Sequence, residues 1–77
     1  MFRNHPAMDS ISALLAFVRT AEAGSIVGAA RVLGLSASAV GKRIARLEQD
    51  LGTRLFHRTT RRMHLTDEGD LLLQRCR

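Results

Sequence analysis

The sequence predicts a mainly α-helical domain with one small β-hairpin. Apolar residues recur at helical spacing in several segments, polar residues that can cap a helix precede them, and glycines follow three of them. In contrast, Met63-His64-Leu65 alternates apolar and polar residues, as a short strand does. A chain of 77 residues forms one domain with a small core. Its single cysteine leaves no internal disulfide, so apolar packing must stabilise the fold.

Residues 1–8 are predicted to be a tail, because they show no apolar period and Pro6 disfavours helix at the residue before it. Asp9 or Ser10 can then cap a first helix, which ends at Gly24 as a left-handed residue. Its predicted inner face consists of Ile11, Leu14, Leu15, Val18 and Ala21, with Phe17 alongside.

Two further helices follow at close spacing. Ser25 can cap a short helix over residues 26–33, whose inner positions are mostly small (Ala29, Ala30 and Leu33). Gly34 ends it, and Ser36 can cap the next helix, which runs to Leu51. Residues 25–51 are therefore predicted to form a helix, a short glycine-containing turn and a second helix, which is the helix-turn-helix pattern. A plain helical hairpin in a small bundle has the same outline, so the pattern alone leaves both interpretations open.

The third helix is predicted to have two different faces. Val40, Ile44, Leu47 and Leu51 form a narrow apolar stripe. The opposite side carries small, hydrogen-bonding or cationic residues and no acid: Ser38, Lys42, Ala45 and Gln49, with Arg46 beside them. A helix anchored along one edge, with such groups along the other, could enter a DNA major groove.

The segment 54–65 is predicted to form a hairpin, or wing, with Arg61 and Arg62 at or near its tip. Because a two-stranded hairpin alone is marginal, Phe56, Met63 and Leu65 should pack on the helices. Thr66 can cap a fourth, C-terminal helix. Its leucines cannot all face a core, so at least one is exposed or meets a partner chain. A dimerisation face and a frayed end packed on its own domain both fit Leu71, Leu72 and Leu73.

The net charge of +5 is concentrated in one part of the chain. Residues 36–64 hold seven cations and two acids, whereas the remaining residues are neutral overall. Focused positive charge suits a polyanion, although an ordinary basic surface looks the same on charge alone. We find no catalytic constellation, phosphate loop, cofactor motif or metal cluster, and so predict no enzyme. Without a signal peptide or an apolar run of about 20 residues, the chain is expected to be intracellular and without a membrane partner.

Three groups would contact DNA on this interpretation. Ser36 and Ser38, with the free amides of the first helical turn, can hold a phosphate or donate to base edges. Lys42 can reach guanine or a phosphate, while Arg43 and Arg46 flank it near the backbone. An arginine of the wing, Arg61 or Arg62, could enter the adjacent minor groove.

Several segments together resemble the N-terminal domain of the LysR-type transcriptional regulators, from about Met8 to Arg75. They are Phe17, AEAGS at 21–25, AARVLGLSASAV at 29–40, RLEQDLGTRLFHRT at 46–59 and LTDEG at 65–69. The resemblance implies a winged helix-turn-helix over residues 9–65 that binds double-stranded DNA as a homodimer or a higher oligomer, assembled through the linker helix. Residues 66–77 would begin a linker and dimerisation helix. A small-molecule effector would bind only through a further domain absent from this sequence. The resemblance also implies a cytoplasmic, nucleoid-associated bacterial protein.

The full hypothesis assigns a role to each predicted contact. Ala37 and Gly41 depart from the polar residues that many family members carry there, which puts direct base readout at these positions in question. The predicted base-edge residues are Ala37, Ser38, Gly41, Lys42 and Arg61. The predicted phosphate contacts are Ser36, Arg43, Arg46, Arg54, Arg58, Thr59 and Arg62, on a pseudo-palindromic operator. The alternative is a winged-helix protein-interaction or dimerisation module, in which the terminal leucines carry the function and Lys42 is incidental.

Overall fold

The computed structural model describes residues 6–58 and 63–77, and the side chains from Ser10 onward within them. The helices are α1 (Pro6–Ala23), α2 (Ile26–Leu33), α3 (Ala37–Leu51) and α4 (Asp67–Cys76). Strands β1 (Phe56–Arg58) and β2 (Met63–Leu65) stand between α3 and α4. The order and type of these elements confirm the predicted winged helix-turn-helix with a fourth helix.

The predicted N-caps of α2, α3 and α4 are confirmed. The Oγ atoms of Ser25 and Ser36 accept hydrogen bonds from the Gly28 and Ala39 amides, at 3.0 and 3.1 Å. Thr66 caps α4 in the same way. Gly24, at φ 76°, is left-handed after α1, and its amide donates to the Thr20 carbonyl. Local sequence therefore sets where these helices begin and end.

Helix α1 begins at Pro6, three residues before the predicted cap at Asp9, so the tail over residues 1–8 was predicted too long. Proline suits the first turn of a helix because its missing N–H would have no partner there. The restriction that proline imposes acts on the residue before it, which lies outside α1.

The predicted inner face of α1 is wrong, because the helix is turned about its axis and buries a different set of residues. Its buried residues are Ala13, Ala16, Phe17 and Thr20. Ile11 is 61% exposed, and Leu15 is also exposed. Two alanines at the contact let α2 and α3 approach α1 closely, and both pack on it. Leu14, Val18 and Ala21, which were also predicted for this face, are partly buried at the edges of the core.

The core lies where α1, α2, α3 and the hairpin meet. Phe17 of α1 and Phe56 of β1 are both fully buried, with ring centroids 5.4 Å apart and ring planes tilted by 53°. Ala29 and Ala30 of α2 are buried as predicted, and Leu33 packs at the edge. Leu51, predicted to be part of the α3 stripe, is 51% exposed, because α3 ends there and only its earlier turns are covered.

The hairpin is antiparallel, with Phe56 opposite Leu65, His57 opposite His64 and Arg58 opposite Met63. Met63 and Leu65 pack against the core, as predicted. Helix α4 starts close to the hairpin, since a Cβ at Gly69 would overlap the Leu55 carbonyl oxygen. This close approach is available only to glycine, and it fixes α4 beside the base of the wing.

Candidate nucleic-acid interface

Helix α3 has the two faces that its sequence predicts. Val40, Ile44 and Leu47 are buried against the rest of the domain. Ser38, Lys42, Ala45 and Gln49, on the opposite face, are all exposed. The exposed face thus presents small, hydrogen-bonding and cationic groups along one side of a 15-residue helix.

The N-terminus of α3 offers free backbone donors. The Ser36 hydroxyl and carbonyl oxygens accept hydrogen bonds from the Ala39 and Val40 amides. The amides of Ala37 and Ser38 make no hydrogen bond to any residue that the structure describes. No acidic side chain lies in the first turn. Because the helix dipole adds positive potential here, this end can bind an anion such as a phosphate.

Two of the arginines that are predicted to contact phosphates form ion pairs within the chain. Arg46 Nε lies 3.6 Å from an Asp50 carboxylate oxygen, and both side chains are exposed. Arg54 Nε lies 3.6 Å from Glu48 Oε2 and is also exposed. The Arg46–Asp50 pair is exposed on both sides and contributes little, so the Arg46 guanidinium can still turn toward a ligand. In the Arg54–Glu48 pair only the arginine is exposed, because the Glu48 carboxylate is buried. Within residues 6–58 and 63–77, no ion pair involves Lys42, Arg43 or Arg58.

A buried polar joint fixes the wing relative to α3, and the sequence interpretation missed it. The Glu48 carboxylate is buried, and its Oε2 accepts hydrogen bonds from the amides of Leu55 (2.8 Å) and Phe56 (3.3 Å). On the other side, Thr66 Oγ1 donates to the Arg54 carbonyl (2.7 Å) and accepts from the Gly69 amide (2.9 Å).

This joint connects the end of α3, the start of β1 and the start of α4. In the sequence, Glu48 contributes to the prediction only as an acid that lowers the charge of the segment. A sequence signal was present: Glu48 lies about 80° from Val40 around the helix, at the edge of the apolar stripe. The position of the wing beside α3 therefore depends on one carboxylate and one hydroxyl.

Two glycines of the helix-turn-helix have different explanations. A Cβ at Gly28 would lie 3.0 Å from both Ala23 Cβ and Ser25 Oγ, so the turn before α2 leaves no room for it. A Cβ at Gly41 would meet only Ile26 Cδ1, at an ordinary 3.9 Å. The fold therefore has room for alanine at 41, and the helix would gain stability from it.

Some predicted site residues are not where the hypothesis needs them, or lie outside the described part of the chain. Thr59, Arg61 and Arg62 fall outside it. Leu71 is 56% exposed and Leu72 is half-buried, but Leu73 belongs to the core. The assignment of Leu73 to a dimerisation surface is thereby corrected, since its side chain is already packed within its own chain.

The sequence of this chain is similar to those of known bacterial transcriptional regulators. The model of the bacterial regulatory helix-turn-helix proteins of the lysR family matches residues 11–70. The transcriptional regulator PtxR of Pseudomonas aeruginosa is 52% identical over 63 residues, which cover 82% of this chain and 20% of PtxR. The chain thus spans about a fifth of the length of this relative.

Two solved structures share the fold closely. A complex of the CbnR DNA-binding domain with DNA superposes with a TM-score of 0.81 at 34% identity, covering 83% of this chain and 74% of that one. A complex of the BenM DNA-binding domain with the catB site 1 DNA gives a TM-score of 0.81 at 31% identity, covering 84% and 73%.

The fold and the exposed face of α3 define a winged helix-turn-helix domain of the regulatory type. The chain belongs to the LysR family of bacterial helix-turn-helix regulators. In the described part of the chain, no helix is long and apolar enough to cross a membrane.

Proposed function

We propose that this chain is the sequence-specific DNA-binding domain of a LysR-type transcription regulator, with α3 in the major groove and the wing at the minor groove. The observation that carries the proposal is the exposed face of α3, which combines two free amides at its N-terminus with Ser38 and Lys42 and has no acid in its first turn. The likeness to the CbnR and BenM domains, whose structures were solved with DNA, supports it.

The division of contacts follows from position on the helix. Ser38 and Lys42 point away from the core near the N-terminal half of α3, where a recognition helix meets base edges. Ala37 would add an exposed methyl group, and Gly41, which is half-buried, would add backbone without a side chain. Arg61 would read the minor groove. The phosphate contacts would be Ser36, Arg43, Arg46, Arg54, Arg58, Thr59 and Arg62.

The proposal includes a homodimer on a pseudo-palindromic operator. Leu71 and Leu72 of α4 would contribute to the dimer surface, and Ile11 and Leu15 add exposed apolar area on α1. Two-fold symmetry then requires two half-sites on one face of the duplex, about one helical turn apart or a multiple of it. Because the chain spans a fifth of PtxR, a small-molecule effector would bind another part of the whole regulator. The regulator itself would lie in the bacterial cytoplasm, bound to the nucleoid.

The first test is the salt dependence of binding to duplexes selected by the chain from random DNA, followed by fluorescence anisotropy. Five arginine contacts to phosphates in each chain predict that log K falls against log salt concentration with a slope of roughly −4 to −5 per bound chain, and so of about −9 for the homodimer. Micromolar or weaker binding without a salt slope would contradict the proposal.

The second test separates DNA recognition from the alternative of a protein-docking module. Lys42→Ala should weaken binding to the selected duplex by about tenfold or more, since a good base contact contributes about 1–3 kcal/mol of discrimination. Arg75→Ala is the matched control, because it removes one exposed cation from α4, away from α3. Equal affinities for the two variants and the wild type would favour the docking module.

A further inference from the structure

Two histidines face each other across the hairpin, and the proposed DNA contacts do not require them. His57 of β1 lies directly opposite His64 of β2. Phe56 is buried and Leu65 packs on the core, whereas both histidines are exposed. Since side chains alternate along a strand, both imidazoles project from the outer face of the hairpin.

The strand pairing sets the distance between these two residues. The Thr66 amide donates to the Leu55 carbonyl at 3.0 Å, which places Leu55 and Thr66 at a hydrogen-bonded position of the ladder, although the Leu55 amide donates to Glu48 and not back to Thr66. Hydrogen-bonded pairs alternate along the ladder, so His57 and His64 form the next one, with Cα atoms about 5.5 Å apart. At this separation two imidazole rings can turn toward one ion, with nitrogen–metal distances of about 2.0–2.1 Å.

The positions of the two histidines are also held by the fold. At the base of the hairpin, Glu48 binds the Leu55 and Phe56 amides, and the Thr66 hydroxyl binds the Arg54 carbonyl. These hydrogen bonds therefore hold both strands in place at the base of the hairpin. A pair of ligands already held side by side loses less freedom on binding an ion than two ligands on a flexible loop.

We propose that His57 and His64 chelate a divalent transition-metal ion of the Cu²⁺, Ni²⁺ and Zn²⁺ class on the outer face of the wing. Imidazole nitrogen is a preferred ligand of these ions. Within residues 6–58 and 63–77, no group of three or more His, Cys, Asp or Glu residues is placed to hold a metal. The site therefore has two protein ligands, and water completes the coordination. Binding is reversible and follows the order in which Cu²⁺ exceeds Ni²⁺ and Zn²⁺.

Chelation has a structural consequence for the wing. The ion joins β1 to β2 by a second connection besides their backbone hydrogen bonds. Because the unfolded chain does not hold the two histidines side by side, the ion binds the folded state preferentially and stabilises it. This inference is independent of DNA binding and is tested without DNA.

The test is titration of the full 77-residue chain with Ni²⁺ by isothermal titration calorimetry. We expect one site per chain, and at least tenfold weaker binding in both His57→Ala and His64→Ala. His5→Ala and Cys76→Ser are the matched controls, because they remove the other histidine and the exposed cysteine, and they should bind Ni²⁺ like the wild type. The proposal is overturned if the wild type binds no Ni²⁺ up to millimolar concentration, if either wing variant binds unchanged, or if a control variant loses the site.

A second measurement distinguishes chelation from a change in the fold. Thermal unfolding followed by circular dichroism should show a higher Tm with Ni²⁺ for the wild type and no shift for His64→Gln, whose spectrum without metal should match the wild type. An equal shift in His64→Gln would place the ion elsewhere and overturn the proposal.

Discussion

Helices α1 and α3 both carry apolar and polar residues at helical spacing, but they pack on the domain through different kinds of face. On α3, a narrow apolar stripe stands opposite a face with Lys42 and Gln49, so only one rotation buries the stripe. On α1, apolar residues cover most of the circumference, and the buried side is the one with Ala13 and Ala16. Where hydrophobicity does not distinguish the faces of a helix, the space between the neighbouring helices decides which face is buried.

The largest test of this comparison lies in α1. Phe17→Ala should destabilise the domain by about 3–5 kcal/mol, because it removes a fully buried ring that contacts Phe56. Ile11→Ala is the matched control, and the exposure of Ile11 predicts a loss below about 1 kcal/mol. Urea unfolding followed by circular dichroism measures both. Similar losses in the two variants would restore the inner face that sequence had predicted.

The next test concerns the acids at the end of α3. Glu48→Ala should destabilise by about 1–3 kcal/mol, since it leaves the buried Leu55 and Phe56 amides without their acceptor. Asp50→Ala removes the other acid of the helix, which forms only an exposed pair with Arg46, and should cost less than about 1 kcal/mol.

Amide hydrogen exchange gives a local measurement of the same joint. The Leu55 and Phe56 amides should exchange faster in Glu48→Ala, and Glu48→Gln should restore part of their protection because its amide oxygen can accept. Unchanged exchange at both amides in Glu48→Ala would show that the carboxylate does not hold the wing.

Substitution of two buried threonines should change the free energy of unfolding by smaller amounts and with opposite signs. The Thr20 hydroxyl lies in the core without a hydrogen-bond partner among the described residues, so Thr20→Val should stabilise the domain by about 1 kcal/mol. The Thr66 hydroxyl makes two hydrogen bonds, so Thr66→Val should destabilise it. Urea unfolding of the two variants should give changes of opposite sign, and a loss in both would mean that Thr20 also has a partner.

The smallest effect is expected at Gly41. Gly41→Ala should stabilise α3 by up to about 1 kcal/mol, because alanine is a better helix former and its Cβ meets only Ile26 at 3.9 Å. Gly28→Ala is the control and should not be stabilising, since its Cβ would crowd Ala23 and Ser25.

If the α3 backbone approaches DNA at Gly41, the Gly41→Ala variant should bind the selected duplex more weakly than the wild type. Unchanged affinity would remove Gly41 from the base-edge set.

Much of the candidate site could be predicted because it depends on local chemistry. Ser25, Ser36 and Thr66 cap helices through bonds to residues three positions away, and Gly34 and Gly52 end helices in the left-handed conformation. The exposed face of α3 follows from spacing within one helix. The role of Glu48 could not be read in the same way, since its partners lie seven and eight residues further along, in another element.

The sequence by itself determined the order of the elements, the N-caps of α2, α3 and α4, the two faces of α3 and the location of the excess charge. Each of these depends on residues within a few positions of one another, and local hydrogen bonds and helical spacing are enough to set them. Tertiary structure alone decided which side of α1 is buried, why Leu51 and Leu71 stay exposed while Leu73 does not, and how Glu48 and Thr66 hold the wing. The physical reason is that burial and close approach depend on which surfaces of distant segments meet, and no pattern within one segment contains that information.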